Sequence, residues 1–358
     1  MKKELTVRQV CLFFIAFMPV TKLILMPSVL SGFSEQDLWI SALLTGLLDL
    51  LTIFAILKLY KKHNLSFFDL LKVHFGKTVK NIVLILYFFY FLIKGFPLLI
   101  EQKNYVNLTL YETAPTILAF LPFFFVVLLI CITKVRTIGR LSDLFFLITV
   151  FSLLLVFILS LGSLDFGAIL PIGAFIKKVP IASYYSLGWF GDGVYLLFFL
   201  GSFELGKKGI GKIVISYLIS LTLVILFLIA FYLAFDSIAH RTLFAITDIS
   251  KYSTVINNVG RVDYISVFGL LLVGTISISM PVFFETQILM EVFPFKKRIY
   301  PAIIATTLNL LLISLLNDYS VVLQNIIHTY FGGLFFMFSN LIPILLLLLR
   351  RKNDKPKN

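Results

Sequence analysis

Residues 10–31 read VCLFFIAFMPVTKLILMPSVLS, an apolar stretch with a proline and a lysine near its middle. About twenty apolar residues in a helix span the ~30 Å hydrocarbon core of a bilayer. Pro19 removes a backbone N–H and disfavours the helical turn before it, while Lys22 places a charge at mid-depth. The stretch therefore predicts a membrane-spanning helix that is broken near its centre.

The rest of the chain repeats this pattern of long apolar blocks. Hydrophobic residues make up 59% of the 358 residues and charged residues 14%, against roughly half and a quarter in soluble domains. The further blocks lie near residues 38–60, 79–102, 114–132, 138–161, 180–203, 210–235, 264–290, 300–316 and 323–349. These features exclude a soluble protein and predict an all-α integral membrane protein with about ten transmembrane helices.

The net charge of +13 is compatible with a nucleic-acid surface or with membrane topology, and the positions of the basic residues separate the two. Most of the 31 Lys and Arg residues lie in the N-terminus, in alternate loops and in the tail from Arg350. This distribution follows the positive-inside rule. It predicts a chain embedded in the lipid bilayer with both termini in the cytoplasm, and no nucleic-acid partner.

No motif in the sequence indicates an enzyme. Residues 206–212 nearly match a phosphate-binding loop, but Ile213 stands where Ser or Thr would hold magnesium, and the segment follows a membrane helix instead of a strand. The four histidines are scattered, and Cys11 and Cys131 are far apart. The sequence predicts no catalytic residues, no metal site and no cofactor.

Four charged residues sit near mid-depth of the predicted helices, where burying a charge costs at least ~2.5 kcal/mol. They are Lys22, Asp49, Lys94 and Asp192. Because their charges sum to zero, we expect a buried charge network, although the sequence does not assign the partners. Further carboxylates lie nearer the inner ends of helices, where a solvated structural role is expected. These are Asp143, Glu204, Glu285 and Glu291.

A second interruption lies in the sixth block, where residues 188–193 read GWFGDG. Glycine has low helix propensity, so the helix is expected to unwind there. Interrupted helices at matching positions of two halves point to an inverted repeat with a binding site near the bilayer midplane. We expect one transmembrane domain over 1–358, with a first repeat at 7–162, a second at 180–350 and a basic cytoplasmic tail at 351–358.

Several short motifs resemble the B subunits of spore-germination nutrient receptors, which are members of the amino acid-polyamine-organocation (APC) transporter superfamily. The motifs are Leu25-Met26-Pro27-Ser28, the segment from Ser66 to Gly76 followed by Lys77, Thr113-Ala114-Pro115, Gly139-Arg140-Leu141, Leu170-Pro171-Ile172 and Gly260-Arg261-Val262-Asp263. The resemblance covers nearly the whole chain. It implies a LeuT-like fold with a five-plus-five inverted repeat and with helices 1 and 6 broken.

The resemblance also implies a germinant-receptor subunit that binds a small nutrient, often an amino acid, among helices 1, 3, 6 and 8. Such a subunit would signal germination with A and C subunits in the inner membrane of a bacterial spore. The ligand carboxylate would meet amides in helix 1, the ammonium would meet carbonyls in helix 6, and Trp189, Phe190 and Tyr185 would close over both. The implied ligand-binding residues are Val20, Thr21, Lys22, Gly188, Trp189, Phe190, Gly191 and Asp192.

Lys22 departs from the family pattern, because relatives usually carry small residues in this break. It would pair with Asp192, contact the ligand carboxylate or take the place of a coupling cation. The alternative function is a proton-coupled amino acid transporter of the same superfamily. On the sequence alone, both functions remain open.

Overall fold

The structure is a computed structural model that describes residues 4–110, 116–251 and 263–348. Over these ranges it consists of helices and connecting segments without a β-strand, which confirms the all-α prediction. In chain order the α-helices are α1 (Val7–Phe17), α2 (Met26–Ser34), α3 (Leu38–His63), α4 (Phe67–Leu110), α5 (Thr116–Ile132), α6 (Val135–Ser160), α7 (Val179–Ser186), α8 (Gly193–Phe199), α9 (Gly209–Phe235), α10 (Ala245–Lys251), α11 (Asp263–Val292), α12 (Ile299–Leu315), α13 (Ser320–Tyr330), α14 (Gly332–Phe336) and α15 (Ile342–Leu347).

Several helices are long and apolar enough to cross a bilayer, so the chain is a multi-pass membrane protein. Among the described residues there are 5 such helices, or 6 if α12 and α13, which meet at a bend of 68°, form one span. The 5 spans are Met26–His63, which runs through α2 and α3, and Phe67–Asn107, Val135–Ser163, Gly209–Arg241 and Tyr264–Val292. Other apolar segments are shorter helices, and the count of about ten crossings stays a prediction.

The helices pack around α11, which contacts α4, α5, α6 and α12. On another side, α1 packs against α6 and α9, and α3 packs against α7, α8 and α9. Large apolar side chains cover the outside, as shown by Leu51, Leu129 and Leu147, which are 62%, 64% and 66% exposed. A bilayer places such side chains against lipid tails, so the molecule has apolar surroundings on its flanks as well as an apolar core.

The first and sixth predicted helices are broken, as the sequence indicates. The first consists of α1, a 3₁₀ turn at Val20–Lys22, and α2. The sixth consists of α7 and α8, with residues 187–192 between them. Each break leaves backbone N–H and C=O groups without partners inside a helix. These groups must find other partners, because the lipid interior offers no water.

Three expectations about helix ends and charges are wrong. The predicted third helix does not end near 102, because α4 continues to Leu110 and buries Lys103, whose Nζ donates to Asn317 Oδ1 at 2.7 Å. The last predicted helix is interrupted after Tyr330 at a Gly-Gly pair, and a π-helical turn at Met337–Leu341 follows. Glu285 is fully buried instead of solvated, with Oε2 accepting from Asn309 Nδ2 at 2.7 Å.

Some predicted features lie outside the described residues. These are the motif at 113–115, the first three residues of the motif at 260–263, the residues before Glu4 and the basic tail at 351–358. The division into repeats at 7–162 and 180–350 stays a prediction.

Candidate functional site

The four mid-depth charges lie together at the two helix breaks. Lys22 belongs to the 3₁₀ turn between α1 and α2, Asp49 to α3, Lys94 to α4, and Asp192 precedes α8. Their exposed fractions are 2%, 1%, 1% and 3%. Burial of this kind requires each charge to be paired and hydrogen-bonded, since an isolated ion in an apolar interior is very costly.

Lys22 and Asp192 form an ion pair that joins the two breaks. Lys22 Nζ lies 2.6 Å from Asp192 Oδ2 and donates a second hydrogen bond to the Met18 carbonyl at 2.8 Å. The same ammonium lies 5.0 Å from the centroid of the Phe190 ring, within range of a cation–π contact. Of the three roles open to Lys22, the structure contains the pairing with Asp192.

Asp49 binds the freed backbone amides before α8. Its Oδ2 accepts from the N–H groups of Gly191 at 3.2 Å and Asp192 at 2.8 Å, and its Oδ1 accepts from that of Gly193 at 3.3 Å. The Tyr217 hydroxyl, from α9, donates to Oδ2 at 3.2 Å. A carboxylate that accepts several N–H bonds is stabilised as an anion. Asp49 therefore holds the backbone of the break in one defined conformation.

Lys94 satisfies the other side of the same break. Its ammonium donates to the Phe190 carbonyl, and its Nζ lies 5.9 Å from the centroid of the Phe335 ring. Residues 190–193 are thus held between an ammonium at their carbonyl side and a carboxylate at their amide side. The arrangement resembles the contacts that an amino acid's two charged groups would make with an unwound helix.

Gly191 has a backbone conformation that favours glycine, with φ of +89°. A Cβ at this position would lie 2.9 Å from Ser339 Cβ, closer than van der Waals contact allows. We expect Gly191→Ala to lower the free energy of unfolding by about 1–3 kcal/mol or more, from strain and from the clash with Ser339. Denaturant titration of the purified protein in micelles measures this loss of stability.

Gly211→Ala is the matched control, because a Cβ there meets nothing within 4 Å and the residue lies inside α9. Alanine favours a helix over glycine by up to about 1 kcal/mol, so no loss is expected. Equal stability of the Gly191 and Gly211 variants would contradict the strain assigned to Gly191.

The residues expected to bind a ligand carboxylate lie in the 3₁₀ turn. The Lys22 amide donates to the Pro19 carbonyl at 2.9 Å, and Thr21 Oγ1 donates to the Met18 carbonyl at 3.4 Å. Val20 is buried in the core. Ligand binding by these groups stays a prediction.

The three aromatic residues expected to form a gate point in different directions. Phe190 faces Lys22, whereas the Trp189 indole donates to Glu101 Oε1 at 2.8 Å and stacks on His328 with ring centroids 3.8 Å apart. Tyr185 packs against Phe33, with ring centroids 4.4 Å apart. The trio therefore does not form one cluster in the structure.

The sequence reasoning missed two residues at the site. Tyr217 donates to Asp49, but a tyrosine in an apolar helix carries no signal of its own. Glu101 had a usable signal, because it lies two helical turns after Lys94 and therefore on the same face of α4. Glu101 accepts a hydrogen bond from the indole of Trp189, which lies within the break.

The fold is also found in a solved transporter. The crystal structure of the Eremococcus coleocola manganese transporter, in complex with an aromatic bis-isothiourea substituted compound, is similar over 95% of this chain and 78% of that chain. The TM-score is 0.58 and the sequence identity is 15%, so the similarity shows the fold alone. It confirms the LeuT-like fold class that the resemblance implied.

Sequence comparison supplies the family. No curated protein matches the chain. Residues 4–321 match the family described as "Spore germination protein", which is nearly the whole chain. The recognition made from the short motifs is therefore confirmed: this chain belongs to the spore germination protein family.

Proposed function

We propose that this chain is a nutrient-germinant receptor subunit that binds a small nutrient, of the amino acid class, between its two helix breaks. Binding would shift a conformational equilibrium and so signal germination. Family membership supports the role in germination, and the transporter fold supports a small-molecule site near the bilayer midplane. In this proposal the chain is a receptor and not an enzyme.

The observation that carries the proposal is the pair of contacts made by Asp49 and Lys94 with residues 190–193. Asp49 supplies a carboxylate to backbone amides and Lys94 supplies an ammonium to a backbone carbonyl. An amino acid carries both groups on one small molecule. A ligand whose ammonium replaced Lys94 at the Phe190 carbonyl would loosen the closed break, and its carboxylate would bind the turn at Val20, Thr21 and Lys22.

The surroundings of the subunit follow from the same proposal. Receptor A and C subunits would be its partners, and the inner membrane of a spore would be its location. The distribution of Lys and Arg residues supports cytoplasmic positions for both termini.

Binding to the purified chain in lipid nanodiscs tests the proposal. We expect saturable heat of binding with at least one member of a panel of amino acids, sugars and nucleosides. A variant with Lys94→Met should change the affinity for that ligand, while Lys80→Met, which removes a cation paired with Glu291 at 2.7 Å, should not. Absence of binding across the panel by folded protein would contradict the proposal.

A proton-coupled amino acid transporter is the second candidate, and the transporter fold favours it. The two functions differ in what happens after binding. Proteoliposomes with an imposed pH gradient should show no accumulation of the bound ligand if the chain is a receptor. Accumulation that depends on the gradient would establish transport and replace the receptor proposal.

A further inference from the structure

A second buried polar cluster lies on the α7 side of the break, outside the network of four charges. Its centre is Glu101 of α4, which is 3% exposed. Glu101 Oε1 accepts from Trp189 Nε1 at 2.8 Å and from Gln324 Nε2, on α13, at 3.0 Å. His328, also on α13, stacks on Trp189. One carboxyl group thus joins α4, the broken helix and α13.

The two oxygens of Glu101 differ sharply in their contacts. Oε1 has two N–H donors, whereas Oε2 is buried and has no hydrogen-bond partner. An ionised carboxylate would leave charge on this unpartnered oxygen inside an apolar interior, which is far more costly than burying a neutral acid. A proton on Oε2 makes the group neutral and leaves Oε1 as the acceptor that the contacts require.

The charged groups on the surrounding elements have other contacts. Lys94, on the same helix, donates to the Phe190 carbonyl. Lys103 donates to Asn317 beside Asp318. His328 faces Trp189 and the backbone of Tyr185. Among the described residues, neither lysine nor the histidine forms an ion pair with Glu101.

We propose that Glu101 is a proton-binding site whose neutral form accepts the hydrogen bonds that hold Trp189 and Gln324 against α4. The proton forms an O–H bond at Oε2 and returns to water when the site opens. Loss of the proton charges a group that the lipid-embedded core cannot solvate, and so favours entry of water and separation of Trp189 from α4. Proton binding at Glu101 therefore stabilises the closed α7 side of the break.

Tryptophan fluorescence tests the site without any nutrient, so the result is independent of the proposed function. The chain has two tryptophans, and Trp39→Phe leaves Trp189 as the reporter beside Glu101. In nanodiscs, we expect the fluorescence emission of Trp189 in this variant to change with rising pH along the titration curve of a single group. Adding Glu101→Gln, which keeps Oε1 and cannot ionise, should abolish that titration.

Two further variants serve as matched controls in the same Trp39→Phe background. Glu285→Gln changes an equally buried carboxyl on α11 and should leave the titration unchanged. His328→Phe keeps a ring against Trp189 and should also leave it unchanged. A titration that survives Glu101→Gln, or one lost in His328→Phe, would overturn the proposal, as would constant emission of folded Trp39→Phe across the pH range.

Infrared spectroscopy provides a second test that does not depend on Glu101→Gln folding. Gln324→Met removes one of the two donors to Oε1. We expect the carbonyl band of the protonated carboxylic acid in this variant to shift to higher wavenumber, since its oxygen loses a hydrogen bond. An unchanged band would show that the protonated group is not Glu101.

Discussion

Asp192→Asn should lower the free energy of unfolding by about 3–5 kcal/mol, because it leaves the Lys22 ammonium buried without its counter-ion. Lys22→Met should cost a similar amount by leaving Asp192 unpaired. Denaturant titration in mixed micelles measures both losses. The effect is large because the pair lies 2.6 Å apart and both side chains are almost fully buried.

The double variant Lys22→Met/Asp192→Asn separates pairing from other causes. If the two residues act as a pair, the double variant should cost about 1–3 kcal/mol less than the sum of the single variants. A surface pair provides the control: Arg8 lies 3.0 Å from Asp143, with side chains 74% and 28% exposed. Breaking that pair should cost no more than about 1 kcal/mol. Additive losses at Lys22 and Asp192 would contradict their coupling.

Asp49→Leu should loosen the backbone before α8, since three amides lose their acceptor. The Tyr217 hydroxyl keeps the Gly46 carbonyl as its other acceptor, at 3.3 Å. Each buried donor left without a partner costs about 1–3 kcal/mol. We expect amide hydrogen exchange over residues 187–195 to quicken by at least about tenfold. Mass spectrometry of deuterium uptake measures it, with peptides from α9 beyond Tyr217 as the internal reference.

Asn at position 49 gives a graded comparison. Asp49→Asn keeps one oxygen acceptor and should therefore quicken exchange less than Asp49→Leu does. Glu285→Gln, which alters another fully buried carboxyl, should leave exchange over residues 187–195 unchanged. Equal exchange in Asp49→Leu and the unaltered chain would show that Asp49 does not hold the break.

The sequence predicted the breaks because their causes are local. Pro19 cannot donate in a helix, and the glycines between 188 and 193 favour unwinding. The mid-depth charges were also predictable, since a charged residue inside an apolar block needs no structural context to be recognised. The same reasoning identified the family from motifs spread along the chain.

The partners of these charges were not predictable, because they depend on how distant helices pack. Lys22 and Asp192 are far apart in sequence, and the amides that Asp49 binds become donors only once the helix has unwound. Glu101 was missed because the predicted third helix ended one residue after it. The helix in the structure continues to Leu110, and Lys103 in this extension is buried with its ammonium donating to Asn317.

The contacts of Asp49 and Lys94 with residues 190–193 have a consequence for sensitivity. In a receptor of the proposed kind, an incoming nutrient competes with groups of the chain itself, so the closed break sets a detection threshold. Each 1.4 kcal/mol that these internal contacts contribute to closure raises the nutrient concentration needed for half-occupancy by about tenfold. Substitutions at Asp49 would then change the nutrient concentration at which the receptor responds, without altering the groups that recognise the nutrient.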